Sequence, residues 1–378
     1  SWDPNVRVGY GYDTYTIGGF DNGDNYDQNL NKAWNVSSQN PLTISGSGSL
    51  VSVISQVGPH PSGSAAYIKS AFVLTIIERD KIPNTDSIRP GYVKLPAGSS
   101  YIDDYAIRDF NVTDPLKDLA PVSSTPSITA FAQEFAGTHL DHFANWNSRY
   151  MHPADHMKDY YRSFTAVNGT AGLLLNTNFT DQQKKDFLKT GFANLLVDWT
   201  KNAFAGGIIV APNGHNNGRF FTLMMLGRLT GNASALLYPR EHKCKYFGPG
   251  NPNNVDRGVS ELCQTRRILQ TSPGTYHWGI GGYTSQHANV AEWMNFGDES
   301  AVAQWDLSYR VCCSTNGWMG QTLTLLLMEL RSYLNHDPYF GYHDRYIATM
   351  LAGGYPGWQI FWDGFHADMW NAYRNTVP

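Results

Sequence analysis

Charge is scarce in this chain. Only 16% of its 378 residues are Asp, Glu, Lys or Arg, 28 basic against 32 acidic, and the formal net charge is −4. No basic stripe concentrates the positive residues, so the electrostatic footprint of a nucleic-acid binder is missing. Long apolar runs are lacking too. None reaches about 18 residues, and the greasiest segment, Leu323 to Leu327, belongs to a helix of core length, so no membrane partner is expected. Short internal repeats are absent, which disfavours a solenoid. So are metal spacings of the His-Glu-x-x-His kind and phosphate-cradling glycine loops. Cysteine is limited to four residues. The chain opens at Ser1 without Met, which fits either a processed, mature protein or a chain trimmed at that point.

Aromatic residues are plentiful by contrast, at 13% with 11 Trp and 22 Tyr. Most must fill a core large enough for one big or two ordinary domains. The surplus suits aromatic-lined surfaces, for which carbohydrate is the expected partner. The four cysteines, Cys244, Cys263, Cys312 and Cys313, allow three pairings. Cys244–Cys263, closing a Gly/Pro/Asn-rich loop, with a vicinal Cys312–Cys313 bridge, is the favoured set. Asn-x-Ser/Thr sequons stand at Asn35, Asn111, Asn168, Asn178 and Asn232. Cysteines and sequons together point to an extracytoplasmic, oxidising compartment, hence a secreted glycoprotein.

Two regions follow from the patterning. Residues 1–118 read as a small β-rich N-terminal region, with strands expected at Leu42–Ile44, Leu50–Ile54 and Ala71–Glu78. Residues 119–378 read as a helical domain, which makes the fold mainly α. Helices are expected from Ile128 to Trp146, Pro153 to Leu175, Thr180 to Trp199, Arg219 to Leu229, Met319 to Leu334 and Pro356 to Tyr373. Long helices joined by Gly/Asn/Pro-rich loops suggest an α/α-toroid.

Four clusters carry the chemistry. The first is His139-Leu140-Asp141-His142, continuing to Arg149 and Tyr150. His139, Asp141 and His142 are the residues that zinc or calcium would use, but their spacing matches no standard site, so no cofactor is expected. The plainer alternative is side chains bonding loop backbones. The second is Asn213-Gly214-His215-Asn216-Asn217-Gly218-Arg219 at a helix start, where glycines and the helix terminus favour an anion such as a carboxylated sugar. It reads equally as an ordinary connector. The third, Tyr276-His277-Trp278-Gly279-Ile280-Gly281-Gly282-Tyr283, suits stacking on a sugar ring or an irregular loop that plugs the toroid. The fourth is Tyr309-Arg310-Val311-Cys312-Cys313-Ser314-Thr315-Asn316-Gly317-Trp318. A bond between adjacent cysteines would freeze the backbone beneath Tyr309, Arg310 and Asn316. Otherwise the segment is a tight structural turn.

The Tyr-Arg-x-Cys-Cys motif at Tyr309 to Cys313 resembles one in a group of large, mostly uncharacterised secreted bacterial proteins. Similar segments are Ala120 to Ser127, Arg149 to Pro153, Asn335-His336-Asp337, Asp344-Arg345-Tyr346 and Met369 to Arg374. The resemblance runs over residues 70–378 and departs from its pattern at Asn213 to Phe220, where Phe220 replaces an expected basic residue. The architecture also resembles α/α-toroid polysaccharide lyases. That second resemblance implies a Tyr or His base beside a uronate carboxylate that Arg or Asn neutralises. Tyr309, Arg310, His215 and Arg219 are the catalytic candidates it implies. Asn316, Trp318, Arg149, Tyr150, His142, Asn213, His277 and Trp278 are the substrate-binding candidates. The expected function is a carbohydrate-active protein with lyase-like chemistry on acidic polysaccharide. The rival is a non-catalytic extracellular subunit of a fibre, sheath or matrix, for which self-association is expected.

Overall fold

A computed structural model describes residues 37–43, 48–55, 68–76, 88, 105–136, 162–204, 217–242, 259, 261–262, 267–272, 275–278, 315–352 and 364–378. The chain gathers into two compact units, one of residues 1–87 with 133–159 and one of residues 88–132 with 160–378. Among the described residues, secondary structure is mostly helical.

In the first unit, β1 (Gly48–Ser55) pairs antiparallel with β2 (Ile68–Ile76), from Gly48 opposite Ile76 to Ser55 opposite Ile68, with an irregularity after Ile54. Both strands are rich in Val, Ile and Leu, residues that favour a pleated surface.

The second unit opens with α1 (Ile128–Phe131), capped by the Ser127 hydroxyl, which accepts the Ala130 N–H. Then come α2 (Arg162–Leu175), α3 (Asp181–Phe187) and α4 (Ala193–Phe204), the last two joined by one π-helical turn, Leu188–Phe192. Thr180 and Gln183 form the reciprocal capping box that starts α3. Next are α5 (Arg219–Thr230), α6 (Ala233–Glu241) and the antiparallel pair β3 (Arg267–Ser272) and β4 (Thr275–Trp278). The last elements are α7 (Met319–Leu327), α8 (Arg331–Leu334), α9 (Asp337–Ala352) and α10 (Gly364–Tyr373). No helix among the described residues is long and apolar enough to cross a membrane.

Helices α5 and α7 form the centre. Every residue of α7 is buried, and in α5 only Arg228 and Thr230 are not. A helix buried all round needs no amphipathic stripe, and α5 has none. Helix α2 crosses α7 where two glycines meet. A Cβ on Gly169 would lie 2.8 Å from the Gln321 nitrogen and 2.9 Å from the Gly320 Cα. Only glycine permits this approach.

Several elements differ from expectation, among them the 16-residue helix α9 and strand β3, which were not expected, and the helix from Ile128, which tightens to a 3-10 turn at Ala132–Phe135. The helix expected from Met319 to Leu334 is two helices. After Leu327 the Glu329 N–H donates to the Leu326 carbonyl and the Leu330 N–H to the Leu325 carbonyl. With Glu329 at φ 59°, this is a Schellman ending, built without the usual glycine. Tyr276, His277 and Trp278 lie in strand β4 rather than an irregular loop. Helix α6 was not expected, because Pro239 interrupts its pattern; Asn232 starts it by accepting the Ala235 N–H.

The segment before α1 is sewn to the helices. Leu119 pairs in parallel with Thr177, and the Lys117 N–H donates to Asn176 Oδ1 at 3.0 Å. At the other end, Arg374 grips Asp344 through Nε and Nη2 at 2.7 and 2.6 Å. The Tyr373 hydroxyl donates to the Ala120 carbonyl.

Candidate functional site

Helix α5 begins at Gly218, whose φ of +83° and close neighbours, Phe164 and Thr165 at 3.0 Å from a would-be Cβ, both require glycine. Glycine has no side chain to cap the helix. Instead its N–H donates to Oε1 of Glu261, a carboxyl with no exposed surface. The same oxygen accepts from Gln321 Nε2 of α7 at 3.3 Å, and Gln321 Nε2 also donates to the Tyr339 hydroxyl oxygen of α9 at 2.8 Å. Thr322 Oγ1 reaches that oxygen at 2.8 Å as well. A single buried carboxylate therefore ties the start of α5 to α7 and, through Gln321, to α9.

Burial dominates the electrostatics of this knot. It raises the Glu261 carboxyl from 4.5 to about 7, against smaller downward pulls from the Gly218 N–H, Gln321 and Arg219. Burial, helped by the Glu261 charge, holds the Tyr339 phenol above its ordinary value. The Arg219 guanidinium lies 4.6 Å from the centre of the Trp199 ring, within cation–π range.

A second polar group lies around the 3-10 turn Thr315–Trp318, which leads directly into α7. Thr315 Oγ1 and the Tyr342 hydroxyl share a hydrogen bond of 2.7 Å. The Trp318 ring packs against Tyr339, Tyr342 and His343. His343 also meets Trp370 edge-on at 5.3 Å. Its burial lowers its pKa to about 3, against a weaker opposing pull from the Thr315 backbone, so the ring is neutral at ordinary pH. His366 of α10 meets Thr170 Oγ1 of α2 at 2.8 Å.

Several buried polar atoms have no hydrogen-bond partner among the described residues: both amide atoms of Asn168, Asn316 Oδ1, Trp318 Nε1 and Gln321 Oε1. Asn168 is next to Gly169 at the crossing of α2 and α7. Enclosed polar atoms of this kind are ordinarily met by internal water.

The residues singled out by sequence fall in three places. Arg219, Asn316 and Trp318 are in the interior, with at most 3% of their surface exposed. Arg219 belongs to the Glu261 knot and the other two to the turn before α7; a polymer has no access to these three side chains in this packing. His277 and Trp278 lie on strand β4. Tyr309, Arg310, His215, Asn213, Arg149, Tyr150, His142, His139, Asp141 and the cysteines Cys244, Cys263, Cys312 and Cys313 lie outside the described residues. Among the described residues, no group of three or more His, Cys, Asp or Glu is arranged to hold a metal ion.

The sequons divide by exposure. Asn111 and Asn178 are exposed. Asn168 has no exposed surface, which leaves no room for a glycan in the folded chain. Asn232 is half-buried and engaged twice, by the Ala235 N–H at 3.1 Å and by the Tyr105 hydroxyl at 2.9 Å. Asn35 lies outside the described residues.

Glu261, Gln321 and Tyr339 did not stand out in the sequence. A signal for one was present: Gln321 is a polar residue inside the apolar run Met319 to Leu327, and such residues are buried only when something satisfies them. Glu261 sits in a stretch without periodicity and gave none. No protein-family model matches this chain, and neither a curated protein nor a solved structure shows significant similarity to it.

Proposed function

We propose that this is a secreted carbohydrate-active protein with lyase-like chemistry on an acidic polysaccharide. In this reading its helices form an α/α-toroid-like array behind a β-rich N-terminal region. The observation that carries the reading is the attachment of two helix starts to one carboxylate. Gly218 at the start of α5 and Gln321 in the first turn of α7 both donate to Glu261 Oε1. The polar segments leading into these helices hold His215 and Asn213 on one side and Tyr309 and Arg310 on the other. His215 is two residues from Asn217 and Arg310 five from Thr315, reaches of roughly 7 and 18 Å for extended chain. In this reading the two segments contribute to one cleft.

The chemistry would divide as follows. Arg310 neutralises the uronate carboxylate and so acidifies the neighbouring C–H. Tyr309 or His215 takes that proton, a C=C bond forms, and the glycosidic C–O bond breaks, the leaving oxygen taking the bonding pair and a proton from the protonated base or from water. Arg219, Asn316 and Trp318 act from inside, as supports. Asn213, His142, Arg149, Tyr150, His277 and Trp278 are the proposed substrate contacts, and the proposal involves no metal. Incubation with a panel of uronate polymers, read by the ultraviolet absorbance of the unsaturated product, tests it. Product should form, and Arg310→Ala should abolish it with an unchanged circular dichroism spectrum. No product on any polymer would overturn the lyase reading.

The burial of Arg219, Asn316 and Trp318 favours a second reading, a non-catalytic extracellular structural glycoprotein that has kept the fold. Self-assembly into filaments without product on any polymer is its expected result.

A further inference from the structure

The end of α4 and the length of α6, from Ala233 to His242 just beyond it, line an open pocket of about 350 Å³ that none of the sequence clusters contains. Its wall is built around three rings. Tyr238 and His242 stack at 3.7 Å between centroids with planes 11° apart, and Phe204 meets Tyr238 edge-on at 5.3 Å and 75°. The rings are held from behind: the Tyr238 hydroxyl donates to the Ala203 carbonyl at 3.0 Å. Tyr238 itself is buried, so the ring surface offered to a ligand is that of Phe204 and His242, both half-buried.

The polar equipment of the pocket has a definite sense. His242 Nδ1 lies 2.8 Å from the Tyr238 carbonyl oxygen. A carbonyl can only accept, so Nδ1 carries the hydrogen and, in the neutral ring, Nε2 is left as an acceptor. Glu241 adds an exposed carboxylate that makes no hydrogen bond or ion pair among the described residues, and Ser234 adds a hydroxyl. Among the described residues, neither lysine nor arginine lines the pocket. Aromatic surface combined with two acceptors, one of them an exposed carboxylate, and no cation among the described lining residues suits a ring that carries several donors and no negative charge.

We infer that this pocket binds a pyranose ring that bears hydroxyl or ammonium donors and no carboxylate, a subsite for the neutral or amino-sugar residues of a glycan. The inference rests on the carbohydrate reading above and narrows it: uronate residues are handled elsewhere, and this pocket excludes them. An ammonium-bearing sugar gains further from Glu241 by a charge-assisted hydrogen bond.

The test uses the full chain and three probes, the methyl glycosides of glucose, glucosamine and glucuronic acid, followed by saturation-transfer NMR and calorimetric titration. The glucoside and the glucosaminide bind, and the glucuronide binds at least tenfold more weakly. Glu241→Gln, an exposed and isosteric change, removes the advantage of the glucosaminide and relieves the exclusion of the glucuronide. His242→Ala weakens all sugars at least fivefold. Equal binding of the three probes, or binding that neither substitution changes, overturns the inference. If the probes fail while a uronate polymer is still cleaved, the pocket assignment falls alone. If neither sugars nor polymers engage, it falls together with the carbohydrate reading.

Discussion

Replacing Glu261 by Gln should flatten part of the pH dependence of stability. The native carboxyl titrates at about 7 rather than 4.5, because burial penalises its charged form. Between those values the folded chain holds a proton that the unfolded chain has released. Stability from this group is therefore complete below pH 4.5, declines as pH rises toward 7, and is level above that. The interval corresponds to roughly 3 kcal/mol at about 1.4 kcal/mol per pH unit. Glutamine keeps an oxygen able to accept from Gly218 and Gln321 but never ionises. Urea unfolding of both proteins at intervals from pH 4.5 to 8, followed by tryptophan fluorescence, isolates the effect, because other titrating groups cancel in the difference. The two proteins should be nearly equal at pH 4.5, with Glu261→Gln the more stable by up to about 3 kcal/mol at pH 8. A difference that does not change with pH, or one that grows toward acid, would refute the reasoning. Glu261→Ala gives the complementary result: it strands the buried Gly218 N–H and a Gln321 N–H, at a cost of about 1–3 kcal/mol for each.

Other perturbations probe the frame around the knot. Gly169→Ala brings a methyl within 2.8 Å of the α7 backbone, which cannot yield as a side chain would. A loss of about 2–3 kcal/mol in chemical denaturation is expected. Asn232→Ala removes the cap of α6 and the partner of Tyr105, and should cost about 1–2 kcal/mol by the same measurement. Expression through a glycosylating secretory pathway, with peptide mapping by mass spectrometry, should find glycan on Asn111 or Asn178 and none on Asn168 in folded protein. Occupancy at Asn168 would show that the α2–α7 packing is not as described.

The helices were legible where the signal is local. Thr180 and Gln183 announce the start of α3 by their side-chain chemistry, and the apolar run from Met319 announces α7. The end of α7 was not legible, because the stop at Glu329 uses a left-handed non-glycine residue that no sequence pattern marks. The site was harder still. Arg219 and Asn316 drew attention as polar residues near helix starts, which marks a cap or a buried knot as readily as a ligand site. Their exposure, at most 3%, follows from how α2, α5 and α7 converge, a property of packing that residue type does not carry. Glu261 acquires its role only through Gly218 and Gln321, 43 and 60 positions away in sequence.

The crossing of Gly169 on Gly320 has a consequence for how this protein can diversify. With no side chain between them, the two helices have no slack there: one added carbon on Gly169 collides with backbone, and one on Gly320 meets the His366 ring at 2.7 Å. Variation at the junction is closed off in both directions, since there is nothing to trim and no space to enlarge. Sequence variation must then be accommodated away from the crossing, which stays the same.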